Sequence, residues 1–258
     1  MENNNQKAWE QEHQSAWQSR FGSAENYALK LIQNPTTPVQ TILKYMGEIK
    51  DKCILNVMGS HGNKAVALSL MGAKVDVVDF SESNRQYALA LAKASNVEIG
   101  YYVSDILMFE TSTQYDIVFA EMGILHYFTK LNLFYEKLYD CVVSGGKLII
   151  RDFHPISTKL IKSKGSTAKV RKHKVEGDYF DSKLIEKKVA YSKYLDDNDD
   201  AIDPVDETVQ LRYWTLGEIV TEAAKVGFRV ETLIEEPNLS SEVFDKGIPK
   251  TFTFVLSK

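Results

Sequence analysis

From residue 53 onward the chain alternates short apolar runs with amphipathic stretches at a steady spacing. CILNVM (53–58) reads as a strand, NKAVALSLM (63–71) as a helix ended by Gly72, and KVDVVDF (74–80) as a second strand. SESNRQYALALAKAS (81–95) follows as a helix and VEIGYYVSD (97–105) as a third strand. YDIVFAEM (115–122), LNLFYEKLYDCV (131–142) and GGKLIIRDF (145–153) complete the series as strand, helix and strand. Such alternation predicts right-handed crossovers and a parallel sheet. ILNVM and DIVFA are apolar throughout, as strands covered on both faces should be. The fold class is therefore α/β, with a doubly wound, mostly parallel sheet.

The flanks read differently. Residues 7–33 carry Trp17, Phe21, Tyr27 and Leu31 at helical spacing, prolines at 35 and 38 punctuate them, and residues 39–49 predict another helix. After Pro155 the periodicity breaks. The basic stretch 159–174 predicts a solvated loop. KLIEKKVAYSKY (183–194) and ETVQLRYW (207–214) read as strands separated by the acidic turn 196–204. A helix from 215 to 226 opens on a capping box, Thr215 with Glu218, and stops at Gly227. FRVETLIEEP (228–237) and TFTFVLS (251–257) close the chain as strands. This divides it into a helical cap (1–50), a core (51–154), an inserted cover (155–214) and a closing segment (215–258).

Composition narrows the function without naming it. The 258 residues suit one elaborated α/β domain. A net charge of −4 offers no global field for nucleic acid or an anionic membrane. No run approaches the roughly 18 apolar residues of a membrane span, and the polar opening MENNNQKAWEQEHQ lacks the apolar centre of a signal peptide. Cys53 and Cys141, each within an apolar run, fit a reduced core. A cytoplasmic, soluble protein is expected.

The chemistry-bearing stretch is ILNVMGSHGNKAVALSLMGAKVDVVDFS (54–81). A strand enters a small-residue turn and a helix leaves it, which aims backbone N–H groups and a helix N-terminus at a ligand. Asp79 ends the second strand, 17 positions after Gly62, where a carboxylate can accept from ribose hydroxyls. NAD enzymes share those two features. Ser104-Asp105 after the third strand and the polar cluster after the fourth have no role in a dehydrogenase, the least favoured reading.

On these residues the stretch from about 51 to 155 resembles the class I S-adenosylmethionine-dependent methyltransferases. That resemblance implies seven strands with the last antiparallel. It implies S-adenosyl-L-methionine as cofactor and S-adenosyl-L-homocysteine as product. The glycine-rich turn maps onto Asn56, Met58, Gly59, Ser60 and Gly62, at the methionine part. The ribose acid maps onto Asp79, with Phe80 and Ser81 beside it, and the adenine acid onto Asp105, with Ile106 beside the ring. The fourth-strand end maps onto Glu121, Met122 and Tyr127, bordering cofactor and substrate. Asn56, Met58 and Ser60 depart from the family's usual acid and glycines. Met58 is costly if its φ must be positive, which a non-glycine residue resists. Gly59 is expected to re-form the turn, and Gly62→Val to block the cofactor while leaving the core folded.

Methyl transfer from a sulfonium needs register and dryness, plus a base only if the nucleophile must lose a proton. Candidate catalytic groups are His126, His154 and Glu121. For His154 the alternative is a bond to the loop backbone, and for Glu121 a solvated strand end. Arg151, Asp152, Tyr127, Tyr179 and Tyr213 are candidate substrate contacts. Trp9, Trp17, Phe21, Tyr27, Tyr191 and Trp214 are available to cover the site or to pack a core. No short histidine spacing supports a metal. The reading is a methyltransferase acting on an O or N atom of a small molecule, its substrate partner. A cofactor-binding protein without transfer activity, and an RNA methyltransferase using residues 159–174, are the alternatives.

Overall fold

The computed structural model describes residues 22–164, 172–188, 208–237 and 247–258. Trp9, Trp17, Phe21, Tyr191 and the acidic turn 196–204 lie outside them. A seven-stranded sheet is built from β1 (Cys53–Val57), β2 (Lys74–Asp79), β3 (Gly100–Val103), β4 (Tyr115–Glu121), β5 (Val142–Phe153), β10 (Arg229–Pro237) and β11 (Pro249–Ser257). The strands run in the order β10-β11-β5-β4-β1-β2-β3. The first five pair in parallel, and β11 lies antiparallel to both β5 and β10. This is the sheet that the alternating pattern and the resemblance led us to expect.

Among the described residues six helices flank it: α1 (Ala24–Gln33), α2 (Gln40–Met46), α3 (Asn63–Leu70), α4 (Glu82–Ala94), α5 (Leu131–Cys141) and α6 (Leu216–Val226). On one face Phe134, Tyr135 and Leu138 of α5, with Ile219 and Ala223 of α6, pack onto Leu55, Val118, Leu148 and Phe252. On the other, Ile42 of α2 and Leu68 of α3 cover Ile54, Val77, Phe119 and Ile149. Each large side chain buried in this way contributes about 1.5–3 kcal/mol. Helix α1 lays Ala28 and Leu31 against Tyr87 and Leu91 of α4.

Two sequence expectations are corrected. The helix foreseen at 39–49 is shorter: a 3-10 turn, Thr37–Val39, leads into α2, which ends at Gly47 with φ +73. Residues 159–174 are not simply loop. Ile161–Lys164 (β6) pairs antiparallel with Lys172–Val175 (β7). A two-stranded ladder rests on backbone hydrogen bonds, so a reading of apolar periodicity passes over it. β8 (Ile185–Lys188) and β9 (Thr208–Leu211) form a second antiparallel pair from the two stretches read as strands.

Candidate functional site at the carboxyl ends of the strands

The turn after β1 is held open by left-handed backbone. Met58 and Ser60 have φ +50 each, and Gly62, the residue before α3, has φ +72. The two non-glycine residues cost about 1–3 kcal/mol each. Four hydrogen bonds offset that strain. Met58 N donates to Val78 O (2.7 Å) and Gly62 N to Gly59 O (3.1 Å). Ser60 N donates to Asp79 Oδ2 (3.0 Å), and the Tyr101 hydroxyl to Ser60 O (2.7 Å). Burial pushes the Tyr101 phenol well above its ordinary value and so keeps it a donor.

The glycines at 59 and 62 serve different ends. A Cβ at Gly59 would stand 2.7 Å from Asn56 Oδ1 and from Val77 Cγ1. One at Gly62 would stand 2.6 Å from Ala88 Cβ on α4. Gly62 therefore exists for the approach of α4. The expectation that Gly62→Val leaves the core intact is overturned.

Asp79 is buried and accepts from Ser60 N, from Ser81 N (3.1 Å) and from Asn84 Nδ2 (3.3 Å). A carboxylate offers about four acceptor positions, so about one remains for a ligand hydroxyl. Burial raises its pKa, while the bonds from Ser81, Ser60 and Asn84 pull it back down. Ser81 caps α4 by accepting from Asn84 N, and Phe80 is half-buried beside it. Asp105 caps the 3-10 turn Ile106–Met108 through Leu107 N (2.8 Å), and Ile106 is buried in the main core.

At the end of β4, Glu121 is no solvated end. Its carboxylate forms an ion pair with Lys64 Nζ at 2.6 Å and accepts from Thr41 Oγ1 at 3.2 Å. Met122 (φ +64) and Gly123 (φ +89) then turn the chain left-handed twice. That geometry makes a concave nest of backbone N–H groups, which suits an anion. The anion is Asp152, 3% exposed, accepting from Gly123 N (2.7 Å), Ile124 N (3.0 Å), Leu125 N (2.8 Å) and Phe153 N (2.7 Å). Asp152 is therefore not a substrate contact, because all its acceptor positions hold backbone.

His154 is corrected in the same way. It is 1% exposed, and its Nδ1 accepts from Ile156 N at 3.1 Å. Nε2 lies 2.7 Å from Glu235 Oε1, a close polar contact with imperfect alignment. Neither nitrogen is available as a base. Burial lowers its pKa, and Glu235 partly restores it. A histidine held neutral stabilises the fold above its unfolded value near 6.5, and that stability is lost as pH falls through 6.5 toward the lowered folded value. The wild-type advantage in unfolding midpoint over His154→Gln should therefore grow as pH rises to about 7. Thermal melts at pH 5 to 8 check this, and a constant difference would contradict it.

Arg151 donates to Glu236 Oε2 (3.0 Å), to Thr251 Oγ1 (3.2 Å) and toward Met122 Sδ (3.2 Å). The Tyr179 hydroxyl accepts from Leu216 N at 2.9 Å, at the start of α6. His126 is half-buried in the 3-10 turn Leu125–Tyr127, its ring centroid 4.4 Å from Tyr127 and 5.9 Å from Tyr213. With Phe153, Pro155, Thr158, Tyr213 and Trp214 it lines a narrow cleft above β4 and β5.

Sequence reasoning missed several residues here. Lys64 and Tyr101 act across elements and left no local signal. Asn84, three residues past the capping Ser81, was readable. Arg212 stacks 3.5 Å over Trp214, whose indole N–H is shared by Leu125 O and Phe128 O. Lys159, expected on a solvated loop, turns its ammonium onto Asp181 O and Tyr213 O.

A parallel sheet with a small-residue turn after β1 and acids ending β2 and β3 defines a class that holds a nucleoside cofactor at its strand ends. The comparisons narrow it. Residues 56–150 match the family model of a methyltransferase domain. The fold matches a Listeria monocytogenes protein with TM-score 0.65 and 18% identity, over 87% of this chain and 97% of that one. An S-adenosylmethionine-dependent methyltransferase from Mesorhizobium loti matches with TM-score 0.64 and 14% identity, over 88% of this chain and all (100%) of that one. A ubiquinone biosynthesis O-methyltransferase of Rickettsia bellii is 33% identical over 88 residues, 34% of this chain and 37% of the relative. The chain thus spans little more than a third of the length of the curated relatives it matches. Its fold is that of the class I methyltransferases. No described helix is long and apolar enough to cross a membrane, and the described residues contain no cluster of three metal-ligating side chains.

Proposed function

We propose that the chain is an S-adenosylmethionine-dependent methyltransferase that methylates a small molecule, at a hydroxyl oxygen or, failing that, a nitrogen. The observation that carries this is the left-handed turn Met58–Gly62, set between Asp79 and α3 with an acceptor position of Asp79 still unfilled. The residues fit the cofactor. Beneath Gly59 the buried Asn56 Oδ1 has no hydrogen-bond partner among the described residues, and it suits an ammonium group. Asp79 would hold a ribose hydroxyl, and Asp105, with one oxygen on Leu107 N, the adenine amino group.

When bound, the cofactor supplies a sulfonium methyl that an acceptor atom displaces. The chain's part is placement. The acceptor would sit beside His126, Phe153 and Tyr213, where the cleft of about 20 Å³ must widen to admit it and then exclude water. His126, which lines that cleft, would take the hydroxyl proton. The Rickettsia relative's name favours oxygen as the atom methylated. In the RNA alternative Lys159 would contribute nothing, because Asp181 O and Tyr213 O hold its ammonium.

Calorimetry with S-adenosylhomocysteine, followed by tritiated methyl transfer to a panel of phenols, alcohols and amines, tests the reading. Asp79→Ala should weaken binding by about 5- to 150-fold, the loss of one to a few kcal/mol of hydrogen bonding. It should also lower the unfolding midpoint, because Ser60 and Ser81 lose their acceptor. No heat of binding to wild-type protein at millimolar ligand would reject the proposal.

A further inference from the structure

The β4–α5 loop is clamped from both sides, and the clamp below it is a single carboxylate. Asp152 gathers the N–H groups of Gly123, Ile124 and Leu125, the three residues that lead directly into His126. From above, the segment after β9 closes on the same loop. Arg212 N donates to His126 O at 2.9 Å, Arg212 Nη1 to Thr129 O at 3.2 Å, and the Trp214 indole to Leu125 O and Phe128 O. Two consecutive left-handed residues, Met122 and Gly123, aim the three N–H groups inward. Without an anion there, buried N–H donors would be left unpaired, at a cost that favours refolding the loop.

We infer that Asp152 is a positioning residue for His126: its buried carboxylate fixes the loop that carries the imidazole to the strand ends. This rests on the methyltransferase reading and deepens it. Misplacing a catalytic group by about 1 Å costs on the order of a hundredfold in turnover, so a rigid loop has a purpose here. Asp152 lines the same cleft as His126, Tyr127 and Tyr213 stand at ring distance from it, and Lys159 grips Tyr213 O.

The test uses the full chain, labelled for NMR and loaded with S-adenosylhomocysteine. Asp152→Asn keeps the side-chain shape but removes the charge and replaces one acceptor oxygen with an NH₂ donor facing N–H groups. The His126 ring resonances and their pH dependence should change, because the loop that carries the ring loosens when Gly123, Ile124 and Leu125 lose their common acceptor. The Trp214 indole N–H resonance should shift with it. Affinity for S-adenosylhomocysteine should stay within about twofold, because the bonds of Asp152 run only to backbone of the chain itself. Unchanged His126 resonances and pH dependence in a folded variant overturn the inference. If Asp152→Asn does not fold, wild-type protein decides: slow hydrogen exchange at Gly123, Ile124 and Leu125 supports the clamp, and free exchange overturns it. Absent binding of S-adenosylhomocysteine to wild-type protein counts against the methyltransferase reading alone, since the NMR comparison can be made without it.

Discussion

Gly62→Val should cost the protein its fold before it costs any ligand. Two separate penalties meet at this position. A β-branched residue would have to hold φ +72, and its Cβ would sit 2.6 Å from Ala88 Cβ on α4. Left-handed strain and overpacking cost about 1–3 kcal/mol each, so about 2–6 kcal/mol together. For a chain of this size each kcal/mol lowers the unfolding midpoint by about 2–4 °C. Thermal unfolding followed by circular dichroism should show a drop on the order of 10 °C, or the variant should fail to accumulate as soluble protein. Gly62→Ala meets the same contact without the branch and should fall between. A valine variant as stable as wild type would mean that α4 does not pack on the turn as described.

His126→Asn should produce the largest change in rate. Removing a general base lowers turnover by about 100- to 10,000-fold while cofactor affinity holds. His154→Gln should leave turnover near wild type, because Ile156 N and Glu235 already occupy its nitrogens. Steady-state methyl transfer to an acceptor found in the panel, measured from pH 6 to 9, separates the two. In the wild type the rate should rise with pH, and His126→Asn should lose that dependence. Equal turnover in His126→Asn and wild type would leave positioning as the whole of catalysis.

The fold was legible because its signals are local. Alternating periods of apolar residues gave the order of strands and helices, and Thr215 with Glu218 marked the start of α6 to the residue. The strand-end acids were legible too, since the end of an apolar run is visible in the chain. What each acid touches was not. Asp152 reads as one more polar residue at a strand end until Met122 and Gly123 are known to turn left-handed above it. Nothing in the Met122 side chain announces a positive φ. Met58 and Ser60 show the same limit, since their strain is offset by Tyr101 and Asp79 from other strands. His154 and Glu121 have residue types suited to proton transfer, but partners distant in sequence, Glu235 and Lys64, had already engaged them.

The place of β11 has a consequence for how the chain comes off the ribosome. β11 lies between β5 and β10, so the strand that follows all the others in sequence is an interior one. While residues 249–257 are still being synthesised, β10 has no strand to pair with and β5 presents a bare edge. Leu148 and Ile150 of β5 share their core with Phe252 and Phe254 of β11, which are not yet in place. An open edge flanked by apolar side chains is a template for pairing with another chain. The nascent protein thus passes through an interval in which its first five strands can assemble but the sheet is unsealed. A holding chaperone would have most to shield during that interval.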